Sequence, residues 1–315
     1  MLGKCVLGAA ILLAMAGSAT AGGAYAPASG AGLRAGLDSD IGVRTWLGFG
    51  SAGESLYDPT TGGLVSRLTY DGMPIASGEV FGNAHAGGFF VSGFAGLGVL
   101  PDGNLQDEDF PPYLSAYSST NSNQRSGSLK YATIDVGHDL VDWGGVRAGA
   151  FVGYNYVDQQ MNALGCTQTG GNPAVCVPSI DGSVSVISQA NAWQSLRLGF
   201  NATARLDNGF SVNGDIAALP YVSLSGADTH WLRIPADFTG PIPEDGTGWG
   251  LQVQAMLDYQ VNDRLSLGIG GRYWHMQTVG TAHFENHLTA GGGQPQPDHW
   301  FTDMGGLLAE AKAHF

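Results

Sequence analysis

Between Leu251 and Val261 apolar and polar side chains take turns. Leu251, Val253, Ala255, Leu257, Tyr259 and Val261 alternate with Gln252, Gln254, Asp258 and Gln260, and Met256 is the one exception. Alternate residues of an extended chain share a face, so this spacing predicts a long β-strand with one apolar side. The same period recurs at Ala132, Ile134 and Val136, and again at Leu196, Leu198 and Phe200. Alternation over such lengths excludes a helical bundle and predicts a protein built almost wholly of long strands.

The connections between these runs fall into two kinds. Short turns are expected around 85–87, 142–144, 207–209 and 262–264, where Gly, Asn and Asp cluster. Long polar stretches are expected near 51–63, 101–128, 162–184, 232–247 and 280–299. Short and long links in alternation are the layout of an all-β, antiparallel up-and-down transmembrane barrel of about ten strands, with periplasmic turns, external loops and both chain ends periplasmic. Gln252, Asp258, Arg197, Arg205 and Asp215 then belong to the lumen, since charge facing lipid is costly. Tyr154, Tyr156, Trp274 and Trp300 are expected in an aromatic girdle at the loop-side strand ends. The final run, LLAEAKAHF, alternates to an aromatic carboxyl-terminal residue, Phe315, which suits a closing strand.

Residues 1–21 read as a secretory signal: Lys4 precedes an apolar core from Val6 to Ala16, and Ala19-Thr20-Ala21 supplies a small-residue cleavage site. The barrel domain is expected over 22–315. Export leaves Cys166 and Cys176, which flank the loop-like segment TQTGGNPAV. An oxidising compartment favours a disulfide between them, and two reduced thiols in a loop are the alternative. The formal net charge of -14 excludes a nucleic-acid partner, whose phosphates need a basic face, and suits cationic partners instead.

Two stretches carry the candidate chemistry. Asp107 and Asp109 stand one residue apart just beyond an apolar run ending at Leu100, so both acids point the same way if the backbone is extended. Asp228 and His230 repeat that spacing with a base. Both pieces map to the loop-side rim, where a narrow barrel brings opposite walls within ~10 Å. Asp228 would orient His230, and His230 would take a proton from a water held against Asp107 and Asp109. That is a general-base site without a nucleophilic side chain, metal or other cofactor. By spacing alone, solvated loop charge and a divalent-cation site remain open as alternatives.

An ordered set of fragments resembles the omptin family of outer-membrane endopeptidases. Glu54-Ser55-Leu56-Tyr57 and Ser66-Arg67-Leu68-Thr69-Tyr70 are similar to that family's first external loop and second strand. Gly103-Asn104-Leu105 with Asp107-Glu108-Asp109 resembles its GNM-x-D-x-D segment, Ala148-Gly149 through Gly153-Tyr154 its AG…GY strand, and Asp228-Thr229-His230-Trp231 its D-E-H-Y segment. The resemblance implies a ten-stranded barrel that cleaves peptides or proteins next to basic residues, with Asp107, Asp109, Asp228 and His230 as the catalytic set. It implies that Glu54 is one acid of the pocket for a basic side chain, and that the site faces the exterior.

Two departures from the family stand out. Gly226 occupies the position of a second pocket acid, and Tyr154-Asn155-Tyr156-Val157-Asp158 keeps only the tyrosine of a Y-x-E-x-R pattern that binds lipopolysaccharide. Tyr154 is therefore the residue expected at outer-membrane lipid, with lipopolysaccharide as a candidate activating lipid. A catalytically silent barrel acting as an adhesin is the alternative function. A passive pore is a third, disfavoured by the bulky Tyr131, Trp193 and Tyr221 expected in the lumen. The His283-Phe284-Glu285-Asn286-His287 stretch lacks the H-E-x-x-H spacing of a zinc protease and is expected in a loop.

Overall fold

The computed structural model of the chain describes residues 37–112 and 114–315, so the expected leader at 1–21 lies outside the described residues. Twelve strand segments run in sequence: β1 (Asp38–Tyr57), β2 (Leu64–Ala86), β3 (Phe89–Leu100), β4 (Asn104–Asp109), β5 (Ser118–Gln124), β6 (Gly127–Trp143), β7 (Val146–Gln168), β8 (Ile180–Arg205), β9 (Phe210–His230), β10 (Ile242–Asn262), β11 (Leu265–His283) and β12 (Pro295–His314). β3 and β4 form one barrel strand interrupted at 101–103, where Gly103 takes a φ of 145°. A side chain there would drive a Cβ to 2.8 Å from Met73. β5 and β6 are likewise halves of one strand. All pairings are antiparallel, and β1 bonds to both β2 and β12, so the result is a closed ring of ten. Closure leaves no unpaired sheet edge, which is what lets strands cross a bilayer.

The period-two reading holds along the wall. On β10, Leu257 and Tyr259 are exposed on the outside, whereas Gln252, Met256 and Asp258 are buried in the lumen. An outward band of Ile41, Val43, Val91, Val136, Leu198, Ile216 and Ile269 encircles the barrel. Aromatic side chains border it: Phe89, Trp143, Phe210, Tyr259 and Phe315 at the short-turn end, and Tyr154, Tyr221, Trp249 and Tyr273 toward the loops. Such a band between two girdles is the surface of a membrane barrel.

Three expectations need correction. Trp274 and Trp300 are 2% and 1% exposed and point into the lumen rather than the girdle. Tyr221 is 53% exposed and points outward, because the irregular pairing between Leu196/Leu198 of β8 and Gly248/Gly250 of β10 shifts the alternation around Pro220. The long links are also shorter than their composition suggests: β7 runs to Gln168, β8 starts at Ile180, and β10 starts at Ile242. Above the membrane both faces of a strand meet polar surroundings, so the apolar half of the alternation disappears while the ladder continues.

The lumen is filled. Arg44 bonds Glu79 at 2.6 Å and Glu310 at 2.8 Å, Arg272 bonds Glu79 at 2.8 Å, and Lys312 bonds Asp258 at 2.6 Å. Arg197 bridges Asp135 and Asp215 at 2.9 Å each. Trp46, Tyr131, Phe94 and Trp274 pack around the Arg272 guanidinium. Each of these buried charges in the lower lumen is thereby met by an opposite charge, as desolvation requires.

Candidate functional site

β9 carries Asp228 and His230 far above the lipid band. Asp228 lies 18 residues beyond Phe210, the first residue of the strand. At ~3.3 Å per residue and a tilt of ~40°, that is roughly 45 Å from the short-turn end, against an apolar band of ~25 Å. On β4, Asp107 and Asp109 face the lumen opposite Leu68 and Ser66 of β2. Glu108 points the other way and is fastened by Arg67 at 2.5 Å and the Tyr117 hydroxyl at 2.7 Å.

His230 Nε2 lies 2.7 Å from Asp228 Oδ2, and the Phe238 ring sits 5.7 Å from the imidazole centroid. Burial alone would lower the His230 pKa, but the charge and hydrogen bond of Asp228, with help from Asp107, push it up to about 9. Asp107 is pushed up to about 7, first by burial and next by repulsion from Asp109, with His230 pulling the other way. Asp109 is also raised by burial, against the pull of His230 and Arg233. The acid pair and the Asp-His pair therefore stand on opposite walls of one opening, close enough for each to feel the other's charge.

Beside them lies a cluster that the sequence reading reached only through Glu54. One carboxylate oxygen from each of Glu54, Glu244 and Asp298 lies within 4.8 Å of the other two, and all three residues are buried. The Trp300 indole N–H donates to Glu54 and Glu244 at 3.2 Å each, and the backbone N–H groups of Ser55 and His299 hold Asp298 Oδ1. Burial, and next repulsion from Asp228, push Glu54 up to about 8 against a hydrogen bond with Glu244, while burial and repulsion from Glu54 push Asp298 up to about 9 and hold Glu244 well above the carboxylate range. Glu244 pairs across the ladder with Gly226. A Cβ at position 226 would stand 3.0 Å from Glu244 Oε2 and 2.7 Å from Asn191 Oδ1. The carboxylate of β10 thus occupies the space that the missing side chain on β9 leaves. Glu244 and Asp298 escaped sequence reading because both fall in stretches taken for loops, where no face can be assigned.

The remaining sequence candidates are dispersed. Tyr154 is 45% exposed on the outer wall, with its hydroxyl donating to Gln194 at 2.8 Å. Asp158 accepts from the Tyr156 hydroxyl at 3.2 Å. Cys166 and Cys176 are joined as a disulfide at the end of β7. His283 ends β11 and lies between Asp245 at 2.6 Å and Glu285 at 2.8 Å.

A closed ring of tilted antiparallel strands, an apolar outer band and two aromatic girdles define an outer-membrane β-barrel. No family model and no curated protein sequence matches the chain. Among solved structures, the outer membrane protease OmpT from Escherichia coli aligns over 91% of this chain and 99% of its own, with a TM-score of 0.66 and 15% identity. The outer membrane protein OprG from Pseudomonas aeruginosa aligns over 89% of this chain and 99% of its own, with a TM-score of 0.32 and 12% identity. The toluene transporter TbuX from Ralstonia pickettii aligns over 87% of this chain and 90% of its own, with a TM-score of 0.28 and 11% identity. The fold is therefore omptin-like.

Proposed function

We propose that this chain is an outer-membrane endopeptidase with its site open to the exterior, hydrolysing peptide bonds by a water activated between the two side-chain pairs. What supports the reading is the 2.7 Å Asp228–His230 pair together with the acid pair on β4, near enough for Asp107 and His230 each to shift the other's pKa. Asp228 holds Nε2 of the imidazole, leaving Nδ1 to take a proton from water. The hydroxide so formed adds to the peptide carbonyl. Asp107 and Asp109 hold that water in line with the carbonyl. Collapse returns the proton from His230 to the departing amine.

The acid cluster supplies substrate preference. Glu54 and Glu244 together restore the pair of pocket carboxylates that Gly226 alone would break, which favours a basic side chain beside the cut bond. Tyr154 is the proposed contact for outer-membrane lipid, with lipopolysaccharide as a candidate activator.

The test is to incubate the refolded barrel with a mixed peptide pool and map the cuts. Cleavage should fall at basic residues and should drop at least ~100-fold in His230→Ala and in Asp107→Asn, the scale of a lost general base or of a misplaced reacting water. Unchanged cleavage in both variants refutes the site. No cleavage by the wild-type barrel favours an adhesin instead.

A further inference from the structure

The buried acids of this barrel divide into two sorts. In the lower lumen Glu79, Asp135, Asp258 and Glu310 each have a guanidinium or ammonium within 2.9 Å. Glu54, Glu244 and Asp298 are equally buried, yet among the described residues no Lys or Arg forms an ion pair with any of them. Unpartnered atoms surround the cluster as well. Asp298 Oδ2, Gln189 Oε1 and Asp228 Oδ1 are buried without a hydrogen-bond partner, and the Gln189 amide lies against Glu244 at 2.6 Å. All three are acceptors. A water could offer at most two protons to such a set, whereas a cation satisfies all of it at once.

We propose that Glu54, Glu244 and Asp298, with Gln189 Oε1 as a fourth oxygen, form a binding site for a divalent cation of the calcium class. The donors are all oxygens, which selects a hard ion over zinc or copper. One oxygen from each carboxylate lies within 4.8 Å of the other two, close enough for one ion to reach all three, and a cage built wholly of protein oxygens suits calcium, whereas magnesium keeps several of its waters. The four ligands sit on four different strands, β1, β8, β10 and β12, that ladder hydrogen bonds hold fixed, so the cage exists before the ion arrives. The Trp300 indole, bonded to two of the three carboxylates, closes one side and directs the ion to the other.

One consequence rests on the proposed peptidase reading. The ion and a basic substrate side chain need the same carboxylates and exclude each other. Calcium then acts as a competitive brake on cleavage at basic residues, raising KM and leaving kcat unchanged.

Terbium luminescence reads the site directly, because Trp300 lies within transfer range of an ion held there. The refolded barrel in detergent, at physiological salt, should show indole-sensitised terbium emission that saturates at one ion per chain and is reversed by calcium. Glu244→Gln and Asp298→Asn should each weaken the calcium midpoint at least tenfold, and Asp181→Asn, at the exposed start of β8, should not. Heat-modified gel mobility checks that each variant is a closed barrel. If one fails to close, Glu54→Gln takes its place. Emission that does not saturate at one ion, or calcium midpoints equal in wild type and variants, assigns the signal to surface acids and overturns the proposal. In parallel, calcium should raise KM for an arginine peptide linearly with its free concentration, doubling it at the calcium midpoint. Saturable terbium binding without any peptide cleavage upholds the cation site and removes the peptidase reading. Cleavage with KM independent of calcium, and no saturable terbium, does the reverse.

Discussion

Replacing Asp228 by Asn tests the proposed chemistry through its pH dependence. The carboxylate sits 2.7 Å from His230 Nε2, and its charge is what outweighs burial and holds the imidazole pKa near 9 rather than at its ordinary 6.5. That difference is a factor of roughly 300 in proton affinity, or ~3.4 kcal/mol. A base must be unprotonated to act, so in the wild type only about one molecule in a hundred is competent at pH 7, and kcat should climb about tenfold per pH unit until it levels near 9. With Asn the main raising influence is gone, and burial and Arg233 oppose what Asp107 still adds. The climb should then end at or below about pH 6.5. The level it reaches should be lower, because an amide no longer enforces the tautomer. The limb position is therefore the diagnostic, and the plateau is not. The assay is kcat against pH from 5 to 10 on an arginine peptide, whose guanidinium stays charged throughout, at saturating substrate so that the pocket acids do not enter through KM. A wild-type kcat that falls between pH 7 and 9 would show that the imidazolium is the working form. A limb that stays near 9 in the Asn variant would show that Asp228 does not set it.

Other outcomes follow from the buried charges and the cross-link. Glu54 is raised from 4.5 to about 8, so the unfolded chain gives up this proton first as pH rises, and stability is lost between those values by at most roughly 5 kcal/mol. Glu54→Gln should flatten the decline in thermal midpoint from pH 5 to pH 8, and an unchanged slope would refute the assignment. Arg272→Ala strips one of the two guanidinium groups from fully buried Glu79 and should cost ~3–5 kcal/mol in denaturant melts, while the wild-type barrel shows no steady conductance in a planar bilayer. A loss below 1 kcal/mol, or an open pore, contradicts the filled lumen. Cys166→Ser with Cys176→Ser opens a loop of 10 residues' separation and should cost ~2.7 kcal/mol of loop closure, seen as faster protease nicking within 169–179. Equal nicking rates in both forms would refute it.

The lower barrel was legible because lipid on one side and a polar plug on the other write opposite chemistries on alternate residues. Leu257 and Asp258 are neighbours in sequence and opposites in environment. Asp107 and Asp109 were legible for the same reason, since an extended chain puts them on one face whatever lies beyond. The alternation fails where surroundings are wet on both faces. There Glu244 and Asp298 were assigned to loops, although each is on a strand and buried. Trp300 and Trp274 were misplaced because an indole suits a girdle and a lumen equally well. Only the ladder register decides which face a residue near a bulge adopts, as at Tyr221.

Gly226 and Glu244 have a wider consequence. They are one cross-strand pair on adjacent strands, and the carboxylate stands on the partner that a linear motif does not inspect. In a barrel, the address of a functional group is a height and an angle on a cylinder, and two neighbouring strands can serve one address. Reinstalling an acid by Gly226→Asp would accordingly not repair a defect. It would set a Cβ 3.0 Å from Glu244 Oε2 and bring a second carboxyl group against one already present, where charge repulsion and crowding act together. Searches for relatives with this pocket gain by scoring cross-strand pairs as single positions, so that an acid on either member counts as the pocket being charged.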